Sequence, residues 1–240
     1  MKSKLPQVGT TIFTVMSELA RKHNAINLSQ GFTDFDCPNR LRELTEKYLN
    51  DGKNQYPPMA GIIELREQIA RKVKNLYNHV ADPETEVTVT SGATEALFDA
   101  IHASVSHGDE VIVFDPAYDS YAPAIALTGA TAVHLKLSVP SFSIDWTRVS
   151  HEITARTKLI IINSPHNPCG TILTSADLDS LAEIIRDKDI LVISDEVYEH
   201  MVFDNRKHVS VLSHSELSSK SFAIFSFGKT YHATGWKLAY

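Results

Sequence analysis

The sequence predicts an α/β fold, in which a mostly parallel β-sheet is covered by helices on both faces. Two observations lead to this prediction. Five short segments are rich in strand-forming residues, and four of them are apolar throughout, as strands are when both faces of a parallel sheet are covered. Amphipathic helical segments lie between these runs, as in repeated β-α-β units. The five segments are residues 87–90, 111–114, 159–162, 190–193 and 222–225.

The chain before the first predicted strand has a different pattern. Helical segments at residues 12–21, 40–49 and 62–77 are joined by irregular stretches rich in Gly, Pro and Asn. Such stretches are typical of loops and turns. We therefore expect residues 1–50 to form an N-terminal arm and helices, and residues 51–240 to form a large domain.

Two helices of the predicted sheet domain have a clear apolar stripe, at residues 94–105 and 177–186. The second begins with a helix-start signature, because Thr174 or Ser175 precedes Asp177 in the first turn. The stripe residues are Leu97, Ala100, Ile101 and Val105 in the first helix and Leu178, Leu181, Ile184 and Ile185 in the second.

The composition is that of an ordinary globular protein. The 240 residues are 43 % hydrophobic and 22 % charged, and 23 basic against 29 acidic side chains give a net charge of −6. Scattered Lys and Arg argue against nucleic acid or a membrane surface as the partner. Residues 120–135, the longest uncharged stretch, are too short to span a bilayer. Residues 1–10 are not followed by the apolar segment of a secretory signal peptide. Cys37 and Cys169 offer neither a disulfide framework nor a zinc set. We expect a cytoplasmic protein without a metal.

Polar clusters follow the predicted strands. In an open parallel sheet, ligands bind beyond the carboxyl ends of the strands, so these clusters are expected to converge on one cofactor crevice. Residues 91–95 open a helix directly after a strand, where backbone N–H groups can hold a phosphate, although the motif alone favours a tight turn as the reason for their glycine. The other clusters are residues 115–118, 163–168, 194–198 and 226–230.

Lys229 stands in a sequence that is similar to the end of a nucleotide-binding P-loop. That motif needs a glycine five positions before Gly228, and this position is Ala223, which excludes a P-loop. A lysine beyond an apolar strand either extends into solvent or faces a desolvated crevice. In the second case its pKa is lowered and it can bond to a carbonyl carbon.

Asp195 follows an apolar run, so its carboxylate is expected at the sheet edge, where an unpaired charge is costly. A protonated pyridine nitrogen is a cation that fits between a phosphate site and Lys229. Tyr198 lies three positions after Asp195, so one helical turn would direct both side chains at the same ring. A helix-capping Asp beside a core Tyr remains the alternative.

Together these motifs resemble the pyridoxal-phosphate-dependent aminotransferases of fold type I, class I/II. The matching segments are SGATEAL, FDPAYDSYAPA, NSPHNPCG, ISDEVYEH and SFGKTYHATGWK, with NLSQGFTDFD and NQYPPMAG nearer the N-terminus. The chain is most similar to the subgroup that acts on methionine, glutamine, kynurenine and aromatic amino acids. The resemblance implies transamination between such an amino acid and a 2-oxo acid, in a homodimer with shared active sites.

The resemblance also implies roles for the residues around the cofactor ring. Lys229 would hold pyridoxal 5′-phosphate as an aldimine and then carry the proton between the substrate Cα and C4′ of the cofactor. Asp195 would keep the pyridine nitrogen protonated. Asn167 and Tyr198 would hydrogen-bond the 3′-oxygen, with Asn167 also near the substrate, and Tyr118 would stack on the ring.

Further matching residues concern the phosphate and the substrate. Tyr56 is similar to the tyrosine that reaches the phosphate of the neighbouring subunit, and Gly31 to the glycine whose backbone approaches the substrate carboxylate. A loop aromatic and a turn glycine are the simpler explanations of these two. The residues that would hold the phosphate within the subunit are Gly92, Ala93, Thr94, Ser226 and Lys237.

Two other functions remain open from the sequence. A cysteine-conjugate β-lyase would use the same carbanion to eject a β-substituent, and a regulatory domain would bind the cofactor without turnover. Residues 235–240 predict the beginning of another strand, and the family continues past this point into a small C-terminal domain that binds the substrate carboxylate. We therefore expect the large domain to be incomplete and the chain to be part of a longer enzyme.

Overall fold

The computed structural model describes residues 2–31 and 33–240, and within them it contains a five-stranded parallel sheet. The strand order across the sheet is β2-β1-β3-β4-β5, with every neighbouring pair parallel. The strands are β1 Glu110–Asp115, β2 Thr131–Lys136, β3 Thr157–Asn163, β4 Leu191–Asp195 and β5 Ser221–Ile224. The predicted strands at residues 111–114, 159–162, 190–193 and 222–225 are thereby confirmed as β1, β3, β4 and β5.

Helices lie before and between the strands. They are α1 Ile12–Lys22, α2 Asn39–Asn50, α3 Ile63–Tyr77, α4 Ala93–Ser104, α5 Tyr121–Thr128, α6 Trp146–Glu152, α7 Ser175–Ile185 and α8 Phe227–Thr230. Short 3-10 turns occur at Val211–Ser213, Ser218–Lys220 and Thr234–Trp236. No helix of the described residues is both long enough and apolar enough to cross a membrane.

The sheet is covered on both faces, as the apolar strands predict. Val111 and Val113 of β1 pack in one core with α4 and α5, whereas Ile112 and Phe114 pack in the other with α6 and α7. Successive side chains of a strand point to opposite faces, so an apolar run supplies both cores at once. The fold class expected from the sequence is confirmed.

The predicted helix stripes are the surfaces that pack on the sheet. Leu97, Ala100 and Ile101 of α4 are buried, as are Leu178, Leu181 and Ile185 of α7, while Ile184 is partly buried. Helix α7 begins where the sequence indicates. The Thr174 side chain accepts a hydrogen bond from the backbone N–H of Asp177, and the Asp177 carboxylate accepts one from the backbone N–H of Thr174. This reciprocal cap satisfies two amides of the first turn.

The strand predictions at residues 87–90 and 235–240 are wrong. Both segments make isolated antiparallel bridges, in which Ala239 pairs with Thr90 on one side and with Ser226 on the other. The backbone N–H of Val89 donates a hydrogen bond to the backbone oxygen of Ala60 at 2.9 Å. This part of the segment therefore pairs with the loop before α3 and not with a neighbouring strand. The bridges nevertheless attach both segments to the β5 edge of the sheet.

Three elements between residues 121 and 152 were not predicted. Strand β2 is an edge strand in which Leu135 alone is fully buried, so it lacks the apolar run of the central strands. Helix α5 is short and apolar on all sides, and it has Pro123 in its first turn, which hides the helical period. Helix α6 has seven residues, too few to show a period.

Candidate active site

A cavity of 320 Å³ lies beyond the carboxyl ends of the strands. Its walls come from the segments after β1, β3, β4 and β5 and from the start of α4, as expected for an open parallel sheet. The sequence-predicted residues that line this cavity are Gly92, Ala93, Thr94, Tyr118, Asn167, Asp195, Tyr198, Ser226, Lys229 and Lys237.

Two predicted residues do not line the cavity. Tyr56 is fully exposed in the loop before α3, and Gly31 is exposed in the N-terminal arm, although its neighbour Gln30 does reach the cavity wall. Phe32 of the NLSQGFTDFD segment lies outside the described residues. The sites suggested for Tyr56 and Gly31 therefore rest on the resemblance alone.

Asp195 ends β4 and is buried, with 4 % of its surface exposed. Its Oδ2 accepts a hydrogen bond from the Tyr121 hydroxyl at 2.5 Å, and its Oδ1 faces the backbone N–H of Val197 at 3.4 Å. Burial raises the pKa of Asp195 to about 6, while the Tyr121 hydrogen bond and the Lys229 charge act in the opposite direction. A buried carboxylate is costly unless it has such partners, and a cationic ligand in the cavity would supply a stronger one.

Lys229 lies in α8, the short helix that follows β5. The Ser226 side chain caps this helix by accepting a hydrogen bond from the backbone N–H of Lys229 at 3.2 Å. The Lys229 ammonium lies 5.4 Å from the centre of the Tyr198 ring. Burial lowers the Lys229 pKa, although the Asp195 carboxylate raises it in part. A lysine with a lowered pKa has more of the neutral amine that attacks a carbonyl carbon.

Asn163 holds the two loops of the site together, and the sequence analysis did not single it out. Its Oδ1 accepts the backbone N–H of Asn167 at 2.7 Å, and its Nδ2 donates to the backbone oxygen of Asp195 at 2.8 Å. The Asn167 side chain moderates the rise that burial causes in the Tyr198 pKa. Asn167 and Tyr198 thus present neighbouring polar groups to the cavity.

The start of α4 forms the end of the cavity that suits an anion. Gly92 precedes the helix with φ of 88° and ψ of 160°, a conformation that essentially only glycine adopts. A Cβ at this position would lie 3.2 Å from Cε of Lys237. The first amides of a helix have no acceptor within it, and the helix dipole favours an anion there. Gly92, the first turn of α4 and Lys237 therefore suit a phosphate group.

The set of donors and acceptors fits pyridoxal 5′-phosphate. Lys229 can bond to an aldehyde carbon, and the buried Asp195 carboxylate can pair with a basic ring nitrogen. The start of α4 suits a phosphate. The cavity also offers the Tyr118 ring, which packs edge-on against Tyr121 at 5.7 Å between ring centres. Each functional group of the cofactor has a chemically matched partner in one cavity.

Comparison with known proteins agrees with this chemistry. The profile of the family described as aminotransferase class I and II matches residues 23–240. The chain is 53 % identical to methionine aminotransferase of Escherichia coli and 41 % identical to a probable N-succinyldiaminopimelate aminotransferase, DapC, of Mycobacterium tuberculosis. These alignments cover 100 % and 99 % of this chain but 62 % and 60 % of the relatives.

Solved structures give the same result. The crystal structure of the Escherichia coli methionine aminotransferase superposes with a TM-score of 0.95 at 51 % identity, over 100 % of this chain and 62 % of that one. The chain thus spans about three fifths of the length of the proteins that it matches. It belongs to the aminotransferase class I and II family, whose members are pyridoxal-phosphate-dependent enzymes.

Proposed function

We propose that this chain binds pyridoxal phosphate and supports transamination between an amino acid and a 2-oxo acid. The observation that carries the proposal is the placement of the buried Asp195 carboxylate, the Lys229 amine and the start of α4 in one cavity. In this proposal residues 51–240 form the cofactor-binding unit. Residues 1–50 are an arm, in keeping with α1 and α2, which contain no fully buried residue.

Each polar residue around the cofactor ring has its own role in this proposal. Bound pyridoxal phosphate supplies an aldehyde that accepts an amino group and a protonated ring that takes up the electron pair left at the substrate Cα. Lys229 would hold the aldehyde carbon and, as a general base and acid, would carry the proton between the substrate Cα and the cofactor carbon that bears the aldehyde. Asp195 would hold the ring nitrogen in its cationic form. Asn167 and Tyr198 would hydrogen-bond the phenolic oxygen.

The remaining cavity residues would fix the position of the cofactor. Tyr118 would cover one face of the ring. The phosphate would lie at the first turn of α4. The residues assigned to it are Gly92, Ala93, Thr94, Ser226 and Lys237.

The substrate we propose is a methionine, glutamine, kynurenine or aromatic amino acid, with methionine first. The similarity to an Escherichia coli methionine aminotransferase and, at 35 % identity, to a rat kynurenine–oxoglutarate transaminase supports this choice. These relatives are transaminases by name, which favours transamination over β-lyase activity or cofactor binding without turnover. We also propose that the reaction takes place in the cytoplasm. In the site, we propose that the Gly31 backbone lies near the substrate carboxylate.

The experiment that tests the function follows the absorbance of the bound cofactor. Purified chain saturated with pyridoxal phosphate is expected to show the band of a lysine-bound cofactor, and single half-reactions with methionine should change it faster than those with aspartate. Lys229→Ala should lack the band. Lys158→Ala should retain it, because Lys158 lies at the end of β3 that is remote from the cavity. A normal band in Lys229→Ala would contradict the assignment, and a faster reaction with aspartate would contradict the substrate class.

We also propose a homodimer in which Tyr56 reaches the phosphate of the partner subunit. Tyr56 and Met59 are fully exposed in the loop before α3, which suits a loop that a second subunit covers. Mixing Tyr56→Phe subunits with Lys229→Ala subunits should give hybrid dimers with one intact site. A rate in the mixture no higher than the average of the unmixed variants would count against the shared site.

A further inference from the structure

Tyr121 is the first residue of α5 and makes the shortest contact to the Asp195 side chain. Its hydroxyl donates a hydrogen bond to Oδ2 of Asp195 at 2.5 Å, across 74 positions of sequence. The Tyr121 side chain is 3 % exposed and does not line the cavity. It therefore touches the carboxylate from the protein side, and no role for it follows from the family motifs.

The packing around Tyr121 fixes the position of its hydroxyl. The ring belongs to the core between the sheet and helices α4 and α5, together with Leu97 and Ile125. Tyr118 packs edge-on against the Tyr121 ring. The backbone N–H of Tyr121 donates a hydrogen bond to the backbone oxygen of Tyr118 at 3.3 Å. A buried aromatic ring held on several sides has one rotamer available, so its hydroxyl stays at Asp195.

The other groups near Asp195 cannot replace this hydrogen bond. The backbone N–H of Val197 is distant at 3.4 Å, and the nearby Glu196 carboxylate disfavours a charge on Asp195. Lys229 favours the charge, but its amine is engaged in the proposed reaction. The titratable groups that face Asp195 are Tyr118, Tyr121, Glu196, Tyr198 and Lys229.

We propose that Tyr121 is a positioning residue for transamination, which orients the Asp195 carboxylate and keeps it ionised so that it meets the cofactor ring nitrogen as an anion. This inference rests on the proposed function of Asp195. Burial and the Asp195 charge hold the pKa of Tyr121 well above its ordinary value, so its hydroxyl remains a donor at any working pH. A hydrogen bond to a charged acceptor is among the stronger ones in proteins.

The first test needs no cofactor. The pKa of Asp195 is measured by NMR in cofactor-free chain with ¹³C-labelled aspartate, with Asp195→Asn used to assign the signal. Tyr121→Phe should raise this pKa by about one to two units, the equivalent of one hydrogen bond to a charged group. The matched control is Tyr77→Phe, because Tyr77 donates its hydroxyl to Glu199, another buried carboxylate four positions after Asp195. An unchanged Asp195 pKa in Tyr121→Phe, or an equal change in both variants, would overturn the proposal.

The second test separates ring-nitrogen chemistry from folding. Affinities are measured for pyridoxal phosphate and for an analogue with a C–H group in place of the ring nitrogen. Tyr121→Phe should lose about tenfold or more in affinity for the cofactor and less than about twofold for the analogue, because Asp195 acts on the nitrogen. An equal loss for both ligands would show a structural role only and overturn the proposal.

The two tests also distinguish this inference from the proposed function. A wild-type chain that binds neither ligand would contradict the proposed function, while the NMR measurement would still decide the effect of Tyr121 on Asp195. If Tyr121→Phe does not fold, 3-fluorotyrosine at position 121 provides the second variant. It has nearly the same shape and is a stronger donor, so it should lower the Asp195 pKa, and an unchanged pKa would overturn the proposal.

Discussion

Replacing Asp195 with asparagine is expected to stabilise the cofactor-free chain at neutral pH while removing the proposed partner of the ring nitrogen. The folded state raises the pKa of Asp195 from 3.8 to about 6, because the carboxyl is buried. The folded chain thus holds this proton more tightly than the unfolded chain. The resulting stabilisation is present below about pH 3.8 and is lost as pH rises through about 6. The shift corresponds to about 3 kcal/mol in the free energy of unfolding.

Asp195→Asn removes this dependence, because an amide does not titrate and its oxygen can still accept from Tyr121. At pH 7 the variant should exceed wild type by up to about 3 kcal/mol, or about 6–12 °C in Tm for a chain of this size. Urea unfolding of cofactor-free protein between about pH 4 and 8 measures the difference. The advantage should shrink towards pH 4. A variant that is less stable than wild type at every pH by a constant amount would refute the reasoning.

In the same experiment, Asp177→Asn is expected to change the stability at pH 7 in the opposite direction to Asp195→Asn. Partial burial raises the pKa of Asp177, but hydrogen bonds from Thr174 and Trp146 outweigh it, and the net pKa is lowered. A lowered carboxyl pKa contributes stability above the unfolded value, and that stability is lost as pH falls. Asp177→Asn should therefore be less stable than wild type at pH 7 and approach it in acid.

Four other substitutions test the account of the fold and the phosphate site by urea unfolding and cofactor titration. Gly92→Ala should cost about 1–3 kcal/mol through its positive φ and should also lose at least about tenfold in cofactor affinity, because its Cβ crowds Lys237. Gly108→Ala, with φ of 91° and open space around it, should lose stability alone, and equal affinity losses would argue against the phosphate site. Leu181→Ala, in the core under α7, should cost about 2–5 kcal/mol. Thr174→Ala should cost about 1 kcal/mol through loss of the cap, and no change would contradict it.

The longer helices and the central strands could be predicted because their signals are local. The α7 cap lies within four residues, and β3 contains the uninterrupted apolar run 159–162. Strand β2 could not be predicted, because an edge position leaves most of its residues exposed and mixed in polarity. Residues 87–90 have strand-forming residues, but whether such a segment pairs depends on partners distant in sequence, here a single bridge to Ala239.

Much of the candidate site could also be anticipated, because a parallel sheet brings the ends of its strands together. Lys229, Asp195 and Tyr198 follow strands and line one cavity. Tyr121 could not be found in this way, and for Asn163 only the cluster at residues 163–168 could be anticipated, since each contacts Asp195 across 74 and 32 positions of sequence. In sequence, Tyr121 has the pattern of a core aromatic at a helix start. The roles of Tyr56 and Gly31 stay predictions.

The central claim is that Lys229 is the lysine that holds the cofactor, and one measurement addresses it directly. Chain saturated with pyridoxal phosphate is treated with borohydride, which makes the lysine–cofactor bond permanent, and the modified peptide is identified by mass spectrometry. The account predicts a single modified residue, Lys229, with Lys237 and the surface lysines unmodified. Modification at Lys237, at several lysines to similar extents, or at none would contradict it.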